Sequence, residues 1–208
     1  MMKLESCLAV GSLALLAGCA SSTATYDAPV AQRVESTSTI DAKFDVTWDR
    51  LVKNLASDFF VINNIDKNSR LLNISFSADK PSEYIDCGVS HRTFKNVRGE
   101  ATYAYQTADS STYTATNSSN VAYNVRRQTR VDGRINVYVA PEGDKTSVSV
   151  NAKYVLTIDM AAAPLGGGLR DAAKMTADLS TKQPYMGPEF SCVSRGVIER
   201  RIIEAASK

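Results

Sequence analysis

One histidine, His91, stands in the 208 residues, and no two of the four cysteines are spaced Cys-x-x-Cys. A lone imidazole with widely separated thiols is too small a ligand set for zinc, and without the paired motif there is no redox site to read. Charge of one sign is equally scarce. The 24 Lys+Arg and 22 Asp+Glu leave a formal net charge of +2 with no basic block, which removes the electrostatic case for nucleic acid. Long apolar runs are missing too: none reaches the roughly twenty residues that a membrane-spanning helix needs. Ser90, His91 and Asp86 crowd one stretch, but a catalytic triad needs side chains converging from different elements beside an oxyanion hole, and neighbours in sequence supply neither. The chain is expected to be nonenzymatic and to carry no cofactor or metal.

The beginning of the chain is more informative. Met1-Met2-Lys3 precedes a short apolar run over residues 7–17, which has the length and flanks of a signal peptide. The run ends in Leu16-Ala17-Gly18-Cys19, which resembles the lipobox of bacterial lipoproteins. That resemblance implies cleavage after Gly18 and acylation of the Cys19 thiol. Each buried methylene contributes about 0.8 kcal/mol, so two or three acyl chains make attachment effectively permanent. Ala20 and Ser21 follow, with no aspartate at the position of the enteric inner-membrane retention signal, so the resemblance further implies the outer membrane, on its periplasmic face.

Cys7 would leave with the signal peptide and Cys19 would be acylated. Cys87 and Cys192 then remain in an oxidising compartment and are expected to pair. A bridge closing a loop of about a hundred residues is worth at most about 4 to 5 kcal/mol in the chain-entropy account. Residues 19–38 are rich in Ala, Ser and Thr and read as a flexible tether reaching roughly 25 Å. Residues 39–208 are expected to be a single domain.

Within that domain, Asp45 stands as a helix cap before Trp48, Leu51, Val52 and Leu55, whose spacing predicts a helix over residues 46–57. Two β-rich runs around the polar cluster at residues 66–69 predict a hairpin, after which residues 81–97 read as irregular. Val131, Ile135, Val137 and Val139 share one parity, while Arg126, Arg130 and Arg134 share the other. A second alternating run over residues 148–158 joins them through Pro141-Glu142-Gly143-Asp144, which predicts a long antiparallel hairpin with one wet face. Asp132-Gly133 inside the first strand reads as either a turn or a bulge. Residues 161–190, with Gly166-Gly167-Gly168 and three prolines, read as a long loop, and Val197, Ile198, Ile202 and Ala205 as the apolar face of a terminal helix. Two groups are candidate binding residues: Arg126, Arg130 and Arg134 for phosphate, lipid A or an acidic partner, and Tyr103 and Tyr105, with Tyr113 and Tyr123, for an aromatic binding strip.

The order of these elements, with Asp45-Val46-Thr47-Trp48-Asp49-Arg50-Leu51-Val52 and the hairpin over residues 60–74, is similar to the helix-grip domains of BamC-like lipoproteins, nonenzymatic parts of the outer-membrane barrel assembly machinery. The resemblance implies an α+β fold, with helices packed on one face of an antiparallel sheet. It also implies an accessory or scaffold role in docking envelope proteins. The alternative is a lipid- or glycan-binding module using a groove between the terminal helix and the sheet.

Overall fold

The computed structural model describes residues 20–208; Cys19 and the expected signal peptide lie outside the described residues. In chain order the elements are β1 (Ser21–Asp27), β2 (Thr37–Ile40), α1 (Phe44–Ala56), β3 (Val61–Asp66), β4 (Leu71–Ala78), β5 (Ile85–Asp86), β6 (Val89–Asn96), β7 (Gly99–Gln106) and β8 (Ser111–Thr116). Then come β9 (Ala122–Glu142), β10 (Lys145–Pro164), β11 (Asp171–Ser180), β12 (Tyr185–Met186), β13 (Ser191–Ser194) and α2 (Val197–Ser207).

The β9–β10 hairpin organises everything else. Its strands are 21 and 20 residues long and pair without a break from Glu142↔Lys145 to Tyr123↔Pro164. Buried side chains alternate with exposed ones along almost the whole length, as period-two patterning requires of a sheet with one wet face. The Asp132-Gly133 pair is neither a turn nor a bulge: it sits in continuous register opposite Val155 and Tyr154. Gly133 is required for another reason, because a Cβ there would clash with the Phe76 ring. Strands β4 and β8 run end to end along the outer edge of β9, and β2 and β11 do the same along β10. Strand β3 completes this seven-stranded sheet at the β4 edge.

Two different layers close its buried face. Near the hairpin turn, α1 and α2 pack on one another and place Trp48, Leu51, Leu55, Ile198 and Ile202 in the core. At the other end a second antiparallel sheet, in the order β1-β6-β7, lies over β8, with the Ser22 and Thr116 hydroxyls 3.0 Å apart and Tyr103 donating to Thr114. Between the two layers, short strands β5, β12 and β13 bring Cys87 to Cys192, and the two form a buried disulfide across 105 residues.

The expected α+β class is therefore corrected. The fold is mostly antiparallel β, with 56% of described residues in strands and 14% in helix, and helices cover only part of the sheet. Three segments account for the difference. Residues 21–27, expected within a tether, form β1 in seven-residue register with β6, and Tyr26 is fastened by hydrogen bonds to and from the Ser191 backbone. Residues 89–96, expected as irregular, form β6. Residues 171–180, expected within a long loop, form β11 in ten-residue register with β10. Ala, Met, Leu and Lys favour helix in isolation, but a free strand edge of this length offers main-chain partners that override that preference.

The remaining expectations differ in detail. The first helix begins at Phe44, capped by Lys43 without a side-chain bond, while Asp45 lies in its first turn and pairs with Lys67. Gly196, in the left-handed conformation, occupies the N-cap of α2, and Ser194 accepts a hydrogen bond from its N–H. The expected hairpin at residues 60–74 is present as β3 and β4.

Candidate functional site

The β alternation places the candidate arginines and the candidate tyrosines in different places. Arg126, Arg130 and Arg134 stand on the wet face of β9, where Arg130 pairs with Asp132 at 3.2 Å. Among the described residues, Arg126 and Arg134 make no ion pair. Tyr103 and Tyr105 face the opposite way, toward the interior between the two sheets, so the structure does not bring the two candidate groups together.

What Tyr105 meets instead is a cavity of about 380 Å³ between the sheets. Its floor is apolar, made by Ile158 and Met160 of β10, Met175 of β11 and Phe190. Its wall is a ladder of aromatic rings and guanidinium groups. Tyr105 of β7 and Tyr113 of β8 stack with centroids 5.7 Å apart and planes 9° from parallel. Arg92 of β6 lies over Tyr113 at 4.3 Å and donates from Nε to the Tyr105 hydroxyl at 3.0 Å. Arg127 of β9 lies over Tyr105 at 5.2 Å.

Arg127 is the residue that sequence reading passes over. It sits on the apolar parity of β9, two positions before Thr129 and four before Val131, and it is only 6% exposed. Its guanidinium donates to the Thr107 carbonyl at 2.9 Å and, at 3.4 Å, to the Asp109 carbonyl and the Ser111 hydroxyl. None of these acceptors carries a charge. The nearby Asp109 carboxylate is turned away and spent on Ser82, accepting from its N–H at 2.9 Å and its hydroxyl at 2.6 Å. Glu189 stands exposed on the rim, and among the described residues neither Arg92 nor Arg127 has a carboxylate within ion-pair distance. A charged residue on the buried parity of an otherwise apolar strand was the available signal.

A guanidinium remains charged at any physiological pH, and burying one without a counter-charge is costly. Here the neutral acceptors and the ring faces offset part of that cost. Burial pushes the Tyr113 hydroxyl above the ordinary tyrosine range despite the pull of Arg92, so it stays a neutral donor. The cavity thus has an apolar floor and a wall bearing two fixed positive charges. An arginine fork is suited to planar, bidentate contact with a carboxylate or phosphate.

The crowded Asp86, Ser90 and His91 do not converge. Ser90 and His91 project from opposite faces of β6; the Ser90 hydroxyl meets that of Thr107 at 2.8 Å, His91 meets Asp27 at 3.1 Å, and Asp86 pairs with Arg195. Among the described residues no three His, Cys, Asp or Glu side chains are grouped to hold a metal ion. A wider groove of about 1000 Å³ runs past Phe59, Asp132, Gly133, Arg134, Lys153 and Asp178. Its two acidic and two basic side chains balance, so it lacks the unbalanced charge of the smaller cavity. Neither of these two concavities is lined by α2.

Comparison with protein-family models, curated proteins and solved structures finds no match to this chain. Geometry and chemistry alone therefore carry the functional reading.

Proposed function

We propose that this chain is a nonenzymatic, lipid-anchored protein of the bacterial outer membrane, facing the periplasm, that binds a small acidic ligand between its two sheets. The observation that carries the binding reading is Arg127, a buried guanidinium facing a cavity of ligand size and, among the described residues, without a carboxylate to neutralise it. The anchor reading rests on Leu16-Ala17-Gly18-Cys19. The ligand would have a carboxylate or phosphate for the arginines and a compact apolar body for Ile158, Met160 and Met175.

Thermal unfolding of the full-length protein with phenyl phosphate, benzoate and inorganic phosphate tests the binding reading. Phenyl phosphate is expected to raise the unfolding temperature in a saturable way that Arg127→Gln and Arg92→Gln each abolish. If none of the three anions shifts unfolding, or the shift survives both substitutions, the reading fails.

A second reading, docking of another envelope protein, has its own observation. Among the described residues, the face of β9 carrying Arg126, Arg130, Arg134 and Tyr138 is exposed, and the β3 edge leaves Val61 60% exposed. In-cell crosslinking of the full chain, compared with an Arg126→Glu/Arg134→Glu variant, tests it. Loss of a stoichiometric partner on charge reversal would support docking through this face.

A further inference from the structure

Three turns and the start of the described chain meet at one end of the molecule. Ser21 pairs with Lys95, one residue before the β6–β7 turn closes at Asn96↔Gly99. Ser22 accepts a hydrogen bond from the Thr116 backbone, next to the β8–β9 turn at residues 117–121. Leu165 donates its backbone N–H to Ala122, which sets the β10–β11 turn at residues 165–170 against the same end.

These turns are unlike an ordinary solvated surface. Val97 is 81% exposed, Leu165 57% and Leu169 92%, and they stand at two tips, Val97 on the β6–β7 turn and the two leucines on the β10–β11 turn, rather than in one strand. The charged residues within the turns are Arg98 and Arg170, both exposed, with no carboxylate; Lys95, Glu100 and Asp171 flank them. The far end of the hairpin has the opposite character: Glu142 and Asp144, with Asp41, Asp45, Asp49 and Asp66 nearby, outnumber Lys43, Lys67 and Lys145. At about 3.3 Å per residue the 21 residues of β9 separate the two ends by roughly 70 Å.

We infer that this end rests on the bilayer surface, with Val97, Leu165 and Leu169 among the lipid headgroups and Arg98 and Arg170 on the phosphates of anionic lipid. The inference rests on the reading of Cys19 as the lipidated residue. Because β1 begins at Ser21, two residues span at most about 7 Å between the acylated thiol and the folded sheet. A domain so closely held cannot keep its anchored end away from the membrane. The exposed apolar tips flanked by arginine suit an interface that is apolar below and anionic above. The acidic end then points into the periplasm, and the long hairpin stands away from the membrane.

The test uses full-length protein extracted from cells and reconstituted into vesicles of phosphatidylethanolamine with a minority of phosphatidylglycerol, including lipid brominated near the headgroup. Leu169→Trp, Val97→Trp and, at the far end, Glu142→Trp are compared; Trp48 is buried and supplies a constant background. The Leu169→Trp and Val97→Trp proteins are expected to lose about half of the added fluorescence, as side chains lying in the headgroup region do, and the Glu142→Trp protein none. Absence of quenching in the first two, or equal quenching in all three, overturns the inference if the protein's mass includes acyl chains. A mass without acyl chains overturns the anchor reading instead, and with it the orientation drawn here.

Discussion

Tyr105 and Tyr113 stack face to face with their planes 9° apart, although they belong to strands of two different sheets. Each ring also carries a guanidinium, Arg127 over Tyr105 and Arg92 over Tyr113. The stack is thus both the seam between the sheets and the wall of the cavity.

Replacing Tyr113 by Leu keeps an apolar side chain at a position only 5% exposed, but removes the ring on which Tyr105 and Arg92 rest. Loss of the stack and the cation–π contact is expected to cost about 1 to 3 kcal/mol. Hydrogen exchange should show the loss locally, with amides of β6 and β7 exchanging faster while those of the β9–β10 core near Val137 and Val150 are unchanged.

The Cys87–Cys192 disulfide ties the segment after β5 to β13, which leads directly into α2. Cys192→Ser removes a crosslink closing 105 residues and is expected to destabilise the fold by about 2 to 5 kcal/mol. Urea unfolding of the oxidised protein and of the Cys87→Ser/Cys192→Ser pair would measure it. An unchanged midpoint would show that the bridge constrains nothing the remaining contacts do not already hold.

At Gly133 the added methyl of alanine would press into the Phe76 ring, which is itself packed edge-on against Phe60 and Tyr154. The ring cannot move without opening the core beneath β4. Gly133→Ala is therefore expected to cost about 1 to 3 kcal/mol, the range for overpacking. The paired substitution Gly133→Ala with Phe76→Leu should recover part of it, which a double-mutant cycle would reveal.

Alkaline pH should also weaken the fold, through Tyr154. Its hydroxyl is buried and donates toward the Glu199 carboxylate at 3.3 Å, and Thr181 donates to the same carboxylate at 2.6 Å. Burial first, and the Glu199 charge second, push its ionisation far above the ordinary tyrosine value of 10.0. The folded chain then holds this proton more tightly than the unfolded chain does. Its stabilising contribution is complete below about pH 10 and is lost as pH rises beyond it, by about 1.4 kcal/mol per pH unit. Denaturant unfolding at rising pH should show this slope, and Tyr154→Phe should flatten it.

Much of the architecture was legible before the structure. Strict alternation over residues 131–139 and 148–158 specifies a half-buried strand pair, and both helices show their apolar stripes. The Cys87–Cys192 pairing followed from compartment and elimination. What misled was composition without periodicity. Ser, Thr and Ala at residues 20–25 resemble a linker, and residues 171–180, between glycine- and proline-rich stretches, resemble a loop, yet both become strands because neighbouring β6 and β10 present unpaired edges.

The site shows the same division. Tyr103 and Tyr105 were recognisable as an aromatic strip, though not as an inward-facing one, and Arg127 was lost in a run of arginines whose visible members point outward. By itself the sequence determined the alternation of β9 and β10, the two helices and the Cys87–Cys192 disulfide, because each depends on local spacing or on elimination. Only the tertiary structure decided that a second sheet, rather than more helix, covers the open end of the hairpin, and that Arg92, Tyr105, Tyr113 and Arg127 line one cavity. Those four residues come from four strands, and no local pattern encodes which distant strand edges will meet.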